Sequence, residues 1–459
     1  MKTSIVSFKS IIDPSAIHRL DAPVHMTEGV LTRKLIAQSP YPMLTIGDVS
    51  ERIWHAGRWK RVYVTNPKHG ITLLGSSAIL KADVSNEKLV SLKYTDDIED
   101  KKLKAGWTLI SCSGTIGNCA FANAKHAEKL ASQDVIRLMP NNILRGGLVY
   151  AYLASKYGYA MLTQGTFGSV IQHIEPQNVE SIPIPSFPED FQNKINDLVL
   201  ESARLREEAA NVLEKAIALL SGFIGDSFML TDKKHVGKVS LKSITSTLNL
   251  RFDPPVYINK VVSTVQKLSC KTIPLGECNA RFWYPGIFKR TYVKDGLPYI
   301  KGSSLFEVNP FIRCDFLSRS RTPGLKELWL KEGQILMSCA GICGQVKLIT
   351  KEYEDKKAIG SPDIIRIQPM DSLYTKEYLF TYLQLPFVYD YMQSLKYGSV
   401  IERFDLDTIK TIPVVTPTKE LSEEITEIIK RYSDCTYRAF IAEEKAIRMV
   451  EQEIEKWNK

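Results

Sequence analysis

The string Asp253-Pro254-Pro255-Val256-Tyr257 comes closest in this sequence to a catalytic loop. Enzymes that methylate amino groups of DNA bases use an Asp/Asn-Pro-Pro-aromatic loop. Its carboxylate or amide and a backbone carbonyl accept hydrogen bonds from the flipped base, and its ring stacks on that base. Here the fourth position is Val256, and the matching stretch near the start reads Asp21-Ala22-Pro23-Val24. No strand followed by a glycine-rich loop suited to a nucleoside cofactor accompanies it. The sequence therefore predicts a proline turn before a strand or helix at this string, not a methyltransferase by itself.

Other chemistry fares no better. Gly114-x-x-Gly117 and Gly341-x-x-Gly344 are not followed by Lys-Ser/Thr and lack Gly-x-Gly-x-x-Gly spacing. Each lies between two apolar runs, so a tight β-turn with glycine at positive φ accounts for them. Cys339-x-x-x-Cys343 has no second pair at metal-binding spacing, and the 7 histidines include no His-x-x-x-His. A nucleophilic Ser or Cys stays open, but no Gly-x-Ser-x-Gly elbow is present.

Basic and aromatic residues remain. Arg52, Trp54, His55, Arg58, Trp59, Lys60 and Arg61 correspond to Arg281, Phe282, Trp283, Tyr284, Phe288, Lys289 and Arg290, with Arg313, Arg319 and Arg321 following. Interleaved cations and rings suit nucleic acid, where cations meet phosphates or guanine edges. We take Arg52, Arg58, Lys60, Arg61, Arg281, Lys289, Arg290, Arg319 and Arg321 as the candidate DNA-contacting residues. A solvated strand face with its rings turned inward is the competing reading.

The elements that must position these residues are read from the whole chain. Its 459 residues exceed one ordinary core, and 44% hydrophobic with 24% charged residues is a globular composition. A net charge of +9 permits a polyanionic partner without requiring one. No apolar run approaches the roughly 18 residues of a membrane span, and Lys9 interrupts any secretory apolar stretch too early. A cytoplasmic protein with no membrane partner and reduced thiols is expected.

The chain is duplicated. Val6-Ser7-Phe8-Lys9-Ser10-Ile11 returns as Val239-Ser240-Leu241-Lys242-Ser243-Ile244, and Arg19-Leu20-Asp21 as Arg251-Phe252-Asp253. Gly75-Ser76-Ser77 returns as Gly302-Ser303-Ser304, Leu109 to Gly117 as Leu336 to Gly344, and Gly168-Ser169-Val170-Ile171 as Gly398-Ser399-Val400-Ile401. Order is kept while the offset drifts between 227 and 233 residues, so one fold is used twice with loop insertions. Each copy begins with short β-like runs, such as Arg61-Val62-Tyr63-Val64 and Asp363-Ile364-Ile365-Arg366-Ile367, and ends in one long helix after a proline segment.

Along the first helix Phe191, Ile195, Leu198, Ser202, Leu205, Ala209, Val212, Ala216 and Leu219 alternate at spacings of four and three, a coiled-coil seam. The second seam carries Leu421, Ile425, Ile428, Tyr432, Cys435, Ala439, Ala442, Ala446 and Met449, and near its end Ile447, Val450, Ile454 and Trp457 form a better stripe. Ile195, Leu198, Leu205, Val212 and Leu219 are expected to meet Ile425, Ile428, Tyr432 and Met449 in an antiparallel pair. The alternative is that each helix packs only on its own globular part.

With these features in order and in duplicate, the chain resembles the DNA-specificity subunit of type I restriction-modification systems over essentially its whole length. The resemblance rests on the opening Arg-x-Asp, the Ser-Cys-x-Gly-x-x-Gly hairpin, the Gly-Ser-Val-Ile before the proline segment (Ile182-Pro183-Ile184-Pro185; Ile412-Pro413-Val414), and the helix that follows. It implies two target-recognition domains, each reading half of a split double-stranded DNA site, with two methyltransferase subunits docked on the scaffold. Motor-nuclease subunits can join, and the resemblance implies that the chain itself has no catalytic residues and no cofactor, the methyl donor and ATP belonging to those partners. Such a seam, at 1.5 Å per residue, spans roughly 43 Å against about 34 Å per DNA turn. Gln192 matches a glutamine often found at the start of the family's helix, whereas the second copy has Ser422.

The expected fold is α+β: a tandem duplication of a β-rich recognition domain plus a long helix, the helices pairing antiparallel with pseudo-two-fold symmetry. Its parts are recognition domains at 1–186 and 226–416 and spacer helices at 187–225 and 417–459. A self-sufficient DNA methyltransferase using Asp253-Pro254-Pro255 and a protein-binding scaffold without DNA contact are the competing functions.

Overall fold

A computed structural model describes residues 27–84, 87–164, 173–225, 239–245, 252, 271–341, 343–398 and 402–457. Arg19 to Asp21, Asp253 to Tyr257, Gly168 to Ile171 and Ser399 to Ile401 lie outside the described residues. The chain forms two compact units. One comprises Met1–Glu207, Glu307–Asn309 and Arg438–Lys459; the other comprises Glu208–Phe306 and Pro310–Tyr437. Their boundaries fall inside the two long helices rather than at the helix ends.

The first unit holds helix α1 (Glu28–Ile36) and strands β1 (Met43–Thr45), β2 (Ser50–Trp54), β3 (Tyr63–Val64), β4 (Gly70–Leu74) and β5 (Leu89–Ser91). Strands β6 (Thr108–Ser111), β7 (Cys119–Phe121), β8 (Leu130–Ala131) and β9 (Val135–Pro140) follow, then α2 (Gly146–Ala154), α3 (Lys156–Gln164), β10 (Pro183–Pro185) and the part of α4 (Glu189–Ile224) up to Glu207. They make a four-stranded sheet in the order β2-β9-β6-β7, another in the order β3-β5-β4-β8, and the pair β1-β10.

The second unit repeats this plan. Its strands are β11 (Thr272–Pro274), β12 (Ala280–Trp283), β13 (Tyr292–Val293), β14 (Leu297–Ile300), β15 (Asp315–Leu317), β16 (Ile335–Ser338), β17 (Val346–Leu348), β18 (Ile359–Gly360) and β19 (Ile364–Pro369). Helices α5 (Lys376–Leu383) and α6 (Pro386–Leu395), strand β20 (Pro413–Val415) and the part of helix α7 (Lys419–Glu455) up to Tyr437 complete it, together with the end of α4 from Glu208. The sheet orders β12-β19-β16-β17, β13-β15-β14-β18 and β11-β20 match the first unit strand for strand, down to one parallel pair in each (β4 with β8, β14 with β18).

Local chemistry explains these elements. Strands β6 and β16 are buried at every position, as continuous apolar runs in a covered sheet should be. The turns after them place Gly114, Gly117, Gly341 and Gly344 at φ of 72°, 77°, 73° and 88°, the left-handed region that favours glycine. Strands β10 and β20 begin with proline, which cannot donate to a ladder, and each pairs with a single neighbour. The run Arg61–Val64 is shorter than its composition suggested, since only Tyr63 and Val64 pair.

Helices α4 and α7 run for 36 and 37 residues. Among the seam positions Ile195, Leu205 and Ile425 are buried, whereas Leu198, Val212, Leu219, Ile428, Tyr432 and Met449 are half-buried. Their neighbours Val199, Leu220, Ile429 and Val450 take the fully buried places. The reason is that each helix also packs on globular structure: Gly147 of α2 lies against Asn196 and Val199, and Leu421, Ile425 and Ile429 share a core with Tyr378, Leu379 and Leu383. Two partners widen a narrow 3.5-residue seam into a face with the 3.6-residue period.

Within the first unit the Ser202 hydroxyl donates to the Ala439 carbonyl at 2.8 Å. Beside it the buried Glu443 carboxylate receives both terminal nitrogens of Arg206 at 2.8 Å, the Tyr150 hydroxyl at 2.7 Å and the Asn309 amide at 2.7 Å. Burial opposes the charged form of Glu443, but the Arg206 guanidinium and these hydrogen bonds outweigh it and hold the carboxyl below its usual range. Within the second unit Arg431 of α7 pairs with Glu208 of α4, and Ala216, Leu220 and Ile224 enter the core that holds Ile425.

Two outcomes follow. A Cβ at position 147 would sit 2.9 Å from the Asn196 Cα, so Gly147→Ala is expected to cost about 1–3 kcal/mol in denaturant unfolding. Glu443→Gln, which leaves Arg206 without its counter-charge, is expected to cost about 3–5 kcal/mol at pH 7. Because the folded carboxyl is depressed, its contribution is complete above the unfolded pKa of about 4.3 and fades as pH falls through the folded value. A gap between wild type and variant that is unchanged from pH 7 to pH 3.5 rules out an ionised Glu443.

Candidate nucleic-acid interface

Strand β2 leads through residues 55–62 into β3, and β12 leads through residues 284–291 into β13. Both copies fasten the start of this element in the same way. Arg52 lies 4.2 Å from the centre of the Trp54 ring and pairs with Asp100 at 2.8 Å, while the Trp54 indole donates to the Asp100 carbonyl at 3.3 Å. Arg281 lies 4.7 Å from the Trp283 ring centre and pairs with Glu327 at 3.2 Å, while the Trp283 indole donates to the Glu327 carbonyl at 3.2 Å.

Behind each tryptophan is a fully buried arginine that the sequence reading missed. Arg137 faces Trp54 in the β2–β9 register, and Arg366 faces Trp283 in the β12–β19 register. Arg137 donates to the carbonyls of Ala131 at 2.7 Å and Lys101 at 3.2 Å; Arg366 donates to those of Ile364 at 2.8 Å and Gly360 at 2.9 Å. Burial lowers both guanidinium pKa values to about 10, with Asp100 and Glu327 respectively working in the opposite direction. Both arginines are charged at neutral pH. The signal was a lone cation at the same place in two apolar strands, visible only when the copies are aligned.

The far end of each loop is also held. Arg61 donates to the Gln133 side chain and lies 3.9 Å from Asp134, and Arg290 donates to the Tyr299 hydroxyl at 2.8 Å. Arg52, Arg61, Arg281 and Arg290 are therefore engaged, and a phosphate must compete with their present partners. Arg58, Lys60, Lys289, Arg319 and Arg321 are exposed, with no hydrogen bond or ion pair to another described residue. The backbone brings the last two beside the second loop, because the Ser318 amide donates to the Thr291 carbonyl at 2.9 Å. In the first unit the Ser91 amide donates to the Val62 carbonyl at 2.8 Å, which places exposed Lys93, overlooked in the sequence, beside the first loop.

Burial pushes the thiols of Cys112 and Cys278 up to about 12 and those of Cys314 and Cys339 up to about 11, which favours the protonated thiol at neutral pH. Among the described residues no three of His, Cys, Asp and Glu gather to hold a metal ion, and no helix is long and apolar enough to cross a membrane.

Comparison with known proteins fits this duplicated plan. The family described as the type I restriction modification DNA specificity domain matches the chain twice, over residues 39–199 and 288–443. Among solved structures, the S subunit of a type I restriction-modification system from M. genitalium is 15% identical, with 91% of this chain and 96% of that chain covered and a TM-score of 0.34. The HsdS subunit from Thermoanaerobacter tengcongensis is 14% identical, with 91% and 96% covered and a TM-score of 0.29. No curated protein matches. The two family matches together span more than half of the sequence and take in most of both globular parts, so the chain belongs to the type I restriction-modification DNA-specificity family.

Proposed function

We propose that this chain is the non-catalytic, sequence-reading subunit of a type I restriction-modification complex, each half recognising one part of a bipartite double-stranded DNA site. In this reading residues 1–186 and 226–416 are the recognition domains, and the helices within 187–225 and 417–459 pair antiparallel as spacers. Two methyltransferase subunits dock on the chain, and motor-nuclease subunits can join them. Those partners supply the methyl donor, the ATP and the chemistry.

The observation that carries the reading is the doubled element in which fixed cations stand beside cations without a partner. Arg52 and Arg281, held by carboxylates, position the strand rather than grip phosphate. Lys60 and Arg58 in one copy, and Lys289, Arg319 and Arg321 in the other, are available to displace the counterions of DNA. Release of those counterions makes binding tight and salt-dependent.

Genomic methylation mapping with and without this gene, co-expressed with its methyltransferase partner, tests the function. Loss of one bipartite adenine-methylated motif on deletion is the expected result, and an unchanged methylome rejects it. Lys60→Ala and Lys289→Ala in the assembled complex are each expected to reduce the slope of log affinity against log salt by about 0.9, the share of one phosphate contact. Slopes equal to that of wild type remove these two lysines from the interface.

A further inference from the structure

Runs 52–64 and 281–293 line up without a gap, and the comparison separates what is kept from what is exchanged. Both begin with Arg-x-Trp on a strand, pass through Gly, and close on Lys-Arg-x-Tyr-Val. The residue before each Lys is a ring packed against a core: Trp59 against Leu73, Val90 and Leu130, and Phe288 against Leu297, Leu317 and Ile359. Between the glycine and the ring stands Arg58 in one copy and Ile287 in the other. Ile287 is 89% exposed, more than any other large apolar side chain among the described residues.

The glycines themselves are unexplained by the fold. A Cβ on Gly57 or on Gly286 would meet nothing within 4 Å, and neither residue has a positive φ. Neither internal space nor backbone conformation calls for glycine at either place. A bare backbone on the outer side of a loop does allow another molecule to come close.

We propose that these loops are where the protein touches the bases: Gly57 and Gly286 let the backbone approach DNA, and Arg58 and Ile287 are the specificity-determining side chains of the two half-sites. This rests on the reading above, that each half reads one part of a split site. Phosphates are alike in every sequence, so residues that meet them can be the same in both copies, as Lys60 and Lys289 are. Base edges differ between half-sites, so the residue that reads them must differ. Arg58 suits the O6 and N7 acceptors of guanine. Ile287 has no hydrogen bond to offer, and the apolar feature of the major groove is the thymine methyl group. The structure thus assigns a guanine to the first loop and a thymine to the second.

The test uses the specificity subunit assembled with its methyltransferase partner and duplexes carrying the mapped motif. Replacing each thymine of the second half-site in turn by deoxyuridine, which lacks only the methyl group, is expected to slow methylation about fourfold at one position, the contribution of one buried methyl-sized group. The Ile287→Ala complex should methylate thymine and uracil substrates equally at that position and leave the first half-site requirement unchanged. Gly57→Ala and Gly286→Ala should melt at the wild-type temperature yet bind the duplex at least tenfold more weakly. Indifference of the wild-type complex to every such replacement, or full discrimination retained by Ile287→Ala, overturns the assignment while bipartite methylation by the wild type stands. A wild-type complex with no sequence-specific methylation overturns the underlying reading and this one with it.

Discussion

The fully buried guanidinium of Arg137 constrains what lies in front of it, and Arg366 does the same in the second unit. Removing such a charge from solvent costs several kcal/mol unless dipoles and an opposite charge replace the water. Here main-chain carbonyls accept from the terminal guanidinium nitrogens, and the counter-charge comes from Asp100 or Glu327 on a short helix. That carboxylate faces outward as well and captures Arg52 or Arg281, while its own carbonyl holds the tryptophan indole. One buried charge therefore fixes a helix, a ring and the last residues of a strand. The loop that departs from that strand leaves from a well-fastened place.

The same arrangement divides the cations by role. Proximity to a carboxylate makes a surface arginine part of the frame and weakens its pull on phosphate, because its field is already compensated. Among the candidate cations, Arg58, Lys60, Lys289, Arg319 and Arg321 have no carboxylate of a described residue beside them, so their field is left uncompensated.

Much of the architecture was legible because its signals are local or repeated. The glycine turn after Leu109 to Cys112 and its copy after Leu336 to Cys339, the proline strands and the two long helices all come from short-range rules of backbone and periodicity. Of the heptad positions, Ile195, Leu205 and Ile425 are buried while Leu198, Leu219, Ile428 and Met449 are half-buried, because packing of each helix on globular structure is not written in a heptad pattern. At the candidate interface the residue types were legible and their state was not. Whether Arg52 differs from Arg58 depends on Asp100, and whether Arg281 differs from Lys289 depends on Glu327, acids distant in the chain and brought near only by the fold. Lys93 was overlooked because its place beside the first loop is set by a single backbone hydrogen bond from Ser91 to Val62.

The way the units draw on the chain bears on how the protein is made. A ribosome delivers residues in order, but the first unit needs Arg438–Lys459 together with Met1–Glu207. At roughly 5–20 residues per second, the interval between finishing the early segment and supplying the late one is on the order of ten to fifty seconds. Through that time Ala439, Ala446, Val450 and Ile454 are not yet there to join the first unit, and Glu443 has not arrived to meet Arg206. Such contacts, distant in sequence and late in time, leave apolar surface of the early segment uncovered until the second long helix is made.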